Sequence, residues 1–235
     1  MTGPHRDENA CIWDFWALRV DCRACESGTA TPFAVVGPQC LGRLVLKVEN
    51  FLPPQGVVVV RAAEPADALF TVRRGFLKLW ATDDEGQERV LRLLKPGDMI
   101  GLEALFEPRY RLNAETLTPG GLCRIPLDVV SDLLQREPLL YAELERRWMK
   151  QLQRTDDFTM NVGSGPSRGR VVRFLRYLAQ FAHPEPAPHL SRVDMASMLD
   201  ISSETAARVI ADLKRQGLLE ETSSQLLFDP EKLPD

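Results

Sequence analysis

"LDISSETAARVIADLKRQGLL", residues 199–219, decides how the C-terminal third of this chain folds. Ile201, Val209 and Leu213 supply one apolar helix face, Ser202 stands at the expected N-cap, and Gly217 lies just past the expected end. Upstream, "SRVDMASMLD" (191–200) opens on Ser191 with Asp194 three residues later, a start resembling a capping box. Asp200 falls at the turn between the two helices, and Asp is one of the few residues that tolerate the left-handed region. Ala196 is small where the helices must approach closely. "LLEETSSQLLFDP" (218–230) then reads as two short strands around a tight turn. Two short helices, a tight turn and a hairpin describe a winged helix-turn-helix.

The outward face at the start of the second helix presents Ser203, Glu204, Ala207 and Arg208. Arg can donate two hydrogen bonds to guanine O6 and N7, and Glu can accept one from cytosine N4. A spacing of four places Glu204 and Arg208 on one face, over neighbouring base pairs. The bland alternative is a solvated Glu–Arg pair worth a few tenths of a kcal/mol. Ser202 and Arg192 complete the expected DNA-binding set. Residues 164–235 hold nine Lys and Arg against ten Asp and Glu, so the domain is not basic as a whole. Its positive side chains gather toward the helices, which predicts phosphate contacts with a modest salt dependence.

Working toward the N-terminus, "GSGPS" (163–167) reads as a hinge. Before it, residues 139–162 carry Leu144, Trp148 and Leu152 at spacings of four, with charges between them. This long stripe predicts a helix that pairs with its copy in a homodimer. Between residues 41 and 137 the texture is β-rich: "GVVVVRAA" (56–63), "LFTVRRG" (69–75), "FLKLWATDDEGQERVLRLL" (76–94) with a turn at Gly86, and "GLCRIP" (121–126). Residues 1–40 are irregular and hold four of the five cysteines. The expected fold is therefore α+β. It comprises an N-terminal segment (1–40), an antiparallel β-roll (41–137), a dimerisation helix (138–163) and a winged helix-turn-helix (164–235).

With a net charge of −4, any nucleic-acid contact must be local rather than global. No apolar run is long enough to span a bilayer and no signal-peptide pattern opens the chain, so a cytoplasmic location is expected. An odd number of cysteines there predicts buried thiols or metal and redox ligands rather than a disulfide framework. No Ser/His/Asp set, phosphate loop or hydrolase metal spacing is present, and histidines number three, so an enzyme is the least supported class. A ligand-binding regulatory subunit without a DNA target is a reading of another class, and the helix-turn-helix argues against it.

The whole arrangement resembles the CRP/FNR family of bacterial transcription regulators. The resemblance is carried chiefly by "LLKPGDMIGLEALF" (93–106) and by residues 199–219. It implies a homodimer that binds palindromic DNA with TTGA-like or TGA-containing half-sites and contacts RNA polymerase, with Glu204 and Arg208 at the two base-reading positions. The cyclic-AMP branch places a Glu and an Arg-Ser pair where this chain has Leu102, Leu112 and Asn113, so cyclic AMP is not expected. "GLEAL" and Cys123 look more like the oxygen-sensing FNR branch, which implies a [4Fe–4S] cluster responsive to oxygen or nitric oxide. Cys22, Cys25 and Cys123 match three of its ligands; the fourth position falls on Thr31, which leaves Cys40, with Cys11 as its rival. A zinc or dithiol switch, a regulator that senses another small molecule in the β-roll, and a regulator with ordinary buried thiols remain alternatives.

Overall fold

The computed structural model describes residues 16–17, 32–36 and 47–234. Cys11, Cys22, Cys25 and Cys40 lie outside the described residues. The chain divides into two compact units, one formed by residues up to Leu79 with Leu93–Lys150, the other by Trp80–Arg92 with Gln151–Asp235.

Nine strands lie between residues 16 and 126: β1 (Trp16–Ala17), β2 (Glu49–Phe51), β3 (Val58–Val60), β4 (Ala68–Arg74), β5 (Leu77–Thr82), β6 (Glu88–Leu94), β7 (Met99–Ile100), β8 (Asn113–Thr116) and β9 (Gly121–Pro126). They form two sheets, ordered β1-β2-β9-β4-β7 and β3-β8-β5-β6. This is the expected β-roll, and "GLCRIP" is a strand over its full predicted length. Side chains alternate between two cores, as the period of two in a strand requires. Ala68, Phe70, Val72 and Leu122 join Leu77, Leu79, Leu94 and Ala114 of the other sheet in one core. Leu69, Cys123 and Ile125 point the opposite way, into a second core.

Helix α1 (Leu127–Arg136) covers that second core with Val129, Val130 and Leu133. No sequence expectation covered these residues; Asp128 in the first turn and an Asp132–Arg136 pair at 2.9 Å favour the helix. Helix α2 (Pro138–Asn161) follows, close to the predicted span. Leu140 and Leu144 of α2 are buried in the same core, 0% and 4% exposed. Leu144, expected on the dimer seam, thus packs its side chain into the core of its own chain. The exposed stripe of α2 is instead Tyr141, Trp148, Met149, Leu152 and Met160.

Two features inside the first unit carry polar chemistry under apolar cover. Lys78 and Glu115 form an ion pair at 3.4 Å with side chains only 1% and 7% exposed. Tyr110 donates its hydroxyl to Ala68 O at 2.8 Å, and burial pushes its pKa up to about 12. Its ring lies so close to Gly101 (φ +83) that a Cβ there would meet it at 2.9 Å, which explains the glycine of "GLEAL".

The second unit contains α3 (Ser167–Ala182), β10 (Ala187–Pro188), α4 (Arg192–Leu199), α5 (Ser203–Arg215), β11 (Leu219–Glu221) and β12 (Gln225–Phe228). Phe174, Leu175, Leu178, Met195, Ala206, Ile210 and Leu213 are buried in it. The wing is a three-stranded sheet, β10-β12-β11, one strand more than the predicted hairpin. The extra strand is the proline-flanked pair Ala187–Pro188, too short to register as a pattern.

Candidate functional site

The helix-turn-helix is built as its sequence dictates. Ser191 Oγ caps α4 by accepting from Asp194 N at 3.0 Å. Asp200 ends that helix in the left-handed region, at φ 51, with its N–H on Ala196 O. From α3, Arg170 donates to Leu199 O at 2.6 Å and to Asp200 O at 3.2 Å, which satisfies carbonyls at the negative end of α4. Ser202 Oγ accepts from Thr205 N at 3.2 Å and starts α5. Ala206, Val209, Ile210 and Leu213 anchor the inner face of α5.

Glu204 and Arg208 are thereby held outward and exposed, while Ser203 and Ala207 are half-buried beside them. Arg208 makes no ion pair or hydrogen bond among the described residues, so its fork of donors is available to an incoming base edge. Glu204 is held below the usual carboxylate range by hydrogen bonds from its own backbone N–H and the Ser202 hydroxyl. It is therefore ionised and can only accept, as contact with a cytosine amino group requires.

The remaining cations divide differently from the sequence expectation. Arg192 binds Glu221 on the wing, and Lys214 joins the same carboxylate at 3.0 Å. Burial raises the Glu221 pKa, but the bonds from Arg192 and Lys214 outweigh it and hold the carboxyl below its ordinary value. Arg168 pairs with Asp212 at 2.5 Å, and Arg176 donates to Leu233 O at 2.7 Å. Much of the positive face is thus committed to holding the domain together, which reduces the charge free for phosphates.

In the first unit the chemistry centres on Cys123, a buried thiol on β9. The strand register sets Ala17, Asn50, Cys123, Thr71 and Met99 in one row across the sheet. Cys123 Sγ lies 3.2 Å from Asn50 Oδ1. Thr71 Oγ1, on the other side, is fully buried and has no hydrogen-bond partner among the described residues. Phe33 and Val36, from a short 3-10 turn at Pro32–Val35, pack in the same apolar core as Cys123. Among the described residues no three His, Cys, Asp or Glu side chains are gathered as a metal site. Leu102 is buried, and Asn113 Oδ1 accepts from Ala62 N at 3.0 Å, so two positions aligned with the cyclic-AMP phosphate site are occupied by packing and backbone contacts.

A β-roll, a long helix and a winged helix-turn-helix with an exposed Glu–Arg pair define a DNA-binding transcription regulator. Family models match both parts in that order: the cyclic nucleotide-binding domain over residues 53–137 and the Crp-like helix-turn-helix domain over residues 169–235. The chain belongs to the CRP/FNR family of transcription regulators, and the helix-turn-helix makes it a DNA-binding protein rather than an enzyme. It is 25% identical over 208 residues to the anaerobic regulatory protein of Pasteurella multocida, covering 85% of this chain and 76% of that one. The transcriptional activator protein anr of Pseudomonas aeruginosa is 24% identical over 171 residues, 70% of each chain. The CRP-like cAMP-activated global transcriptional regulator of Mycobacterium tuberculosis is 27% identical, covering 86% of this chain and 93% of that protein. Among solved structures, FixK2 from Bradyrhizobium japonicum shares the fold at a TM-score of 0.64 and 20% identity, over 79% of this chain and 95% of that one.

Proposed function

We propose that this regulator responds to oxygen or nitric oxide through a [4Fe–4S] cluster held by Cys22, Cys25, Cys123 and Cys40, with Cys11 the rival for the last place. The observation that carries the reading is the placement of chain on both sides of Cys22 and Cys25. Ala17 lies two strands from Cys123 in the same row, roughly 10 Å away at the usual strand spacing. Pro32–Val36 belong to the core that contains Cys123. Cys22 is five positions beyond Ala17, at most about 17 Å of extended chain, and Cys40 is four positions beyond Val36, at most about 14 Å. Both tethers are short enough to bring thiolates to the Cys123 face. The names of anaerobic regulators among the relatives support the same signal. The buried thiol beside an orphaned hydroxyl fits a group that places negative charge on sulfur.

When bound, such a cluster supplies an oxidant-labile link between the N-terminal segment and the β-roll. The chain's own residues do the rest. The exposed stripe of Tyr141, Trp148 and Leu152 pairs with its copy, and two α5 helices then meet half-sites about 34 Å apart on palindromic DNA. Glu204 and Arg208 read bases, while Ser202, Ser203 and Ala207 fit against the backbone and groove floor. The exposed turn at Asp84–Gln87 offers RNA polymerase a contact, in a cytoplasmic protein.

Anaerobic reconstitution of the full chain with iron and sulfide tests the cluster. The expected product is brown, with iron and sulfide in equal amounts, both lost in Cys123→Ser and Cys22→Ser. A colourless, iron-free wild-type protein overturns the reading.

A further inference from the structure

We infer that Thr71 and Asn50 are the hydrogen-bond donors that hold the Cys123 sulfur in its metal-bound form, and so set how long the cluster survives. The inference rests on the cluster reading above and adds two positioning residues to it. In the metal-free chain the Cys123 thiol donates to Asn50 Oδ1 at 3.2 Å. A metal-bound sulfur has lost its proton and can only accept, so Asn50 must turn its amide and present Nδ2–H instead. Thr71 stands on the opposite flank, paired with Cys123 across β4 and β9.

Directly opposed residues in a ladder have Cβ atoms about 4.5–5.5 Å apart, and both Oγ1 and Sγ are one bond beyond Cβ. A χ1 rotation therefore aims the Thr71 hydroxyl at the sulfur. Among the described residues that hydroxyl is fully buried without a hydrogen-bond partner, in a row between Met99 and Cys123. A buried hydroxyl left unpaired costs stability, and a Val would fill the same space without that cost. The cost is recovered when the neighbouring sulfur becomes an anion, because a hydrogen bond to a charged acceptor is stronger than a neutral one. Partners of this kind around metal ligands tune both affinity and potential.

The test compares full-length wild type, Thr71→Val and Thr71→Ser. Metal-free Thr71→Val should melt about 2–4 °C higher than wild type, since it loses only an unsatisfied group. After anaerobic reconstitution its visible absorbance should bleach about tenfold faster in air-saturated buffer, and its reduction potential should fall. Thr71→Ser keeps the hydroxyl and should retain the wild-type cluster lifetime. Equal cluster lifetimes in wild type and Thr71→Val overturn the inference and leave the cluster reading intact. A lower melting temperature for metal-free Thr71→Val also overturns it, by showing a structural partner for the hydroxyl. A wild-type chain that takes up no iron and sulfide overturns the cluster reading and this inference together.

Discussion

The Cys123 row and the outer face of α5 handle polar side chains in opposite ways. In the row, Asn50, Cys123 and Thr71 are buried together on a sheet whose neighbours are Leu69, Ile125 and Met99. On α5, Glu204 and Arg208 stand in water while Ala206, Val209, Ile210 and Leu213 are buried behind them. The buried set can act only on something brought into the protein and held there. The exposed set can act on a large partner that arrives from solution. The two regions lie on separate compact units of the chain.

The contrast can be pressed hardest in the β-roll. Lys78→Met removes the ammonium 3.4 Å from a carboxylate whose side chain is only 7% exposed and should cost roughly 3–5 kcal/mol in urea unfolding, whereas the same change at an exposed lysine should cost almost nothing. On α2 the division between core and surface is sharp enough to separate two effects. Leu144→Ala should lose about 2–5 kcal/mol of stability while dimers persist, because its side chain lies in the first unit's own core. Trp148→Glu should do the reverse and give monomers by light scattering with the fold intact, since Trp148 is 45% exposed. Dimers that survive Trp148→Glu would remove the exposed stripe from the interface.

Smaller effects belong to the reading surface. Arg208→Ala should weaken binding to a duplex with two TTGA half-sites by about 1–3 kcal/mol per half-site, measured by fluorescence anisotropy, without changing affinity for unrelated DNA. The wing gives the mildest response. The Glu221 carboxyl is held below its ordinary value of 4.5, so its contribution is complete above that pH and is lost as pH falls through and below it. Thermal melts of wild type and Glu221→Gln should therefore differ at pH 7 and converge toward pH 3.

The two regions were also unequally legible. The α5 site is local: caps, apolar face and base-reading pair all fall within residues 199–219, where a helical period can be read directly. Ser191, Asp200 and Ser202 take the roles their residue types predict. Arg192 shows the limit of this reasoning, because its partner Glu221 arrives from the wing, 29 residues away. The Cys123 row is non-local. Asn50, Thr71 and Cys123 meet only through strand register, and a shift of one residue would turn each side chain to the opposite face. Nothing in the sequence near Thr71 marks it as a neighbour of a cysteine 52 positions later. Leu144 carried a helical stripe correctly but not its direction, because the core that α2 covers is shared with Val129, Val130 and Leu133 of α1, and the pattern of one helix alone does not show which partner it meets.

The proposed gating links the two regions, and DNA binding under controlled oxygen tests it most directly. Anaerobically reconstituted protein is titrated against the two-half-site duplex, then exposed to air-saturated buffer and titrated again, with visible absorbance followed on the same samples. The expected result is tight binding that is lost in step with the iron–sulfur absorbance and fails to appear in Cys123→Ser. Binding of equal strength before and after the absorbance disappears would contradict the link between the Cys123 face and the reading helix.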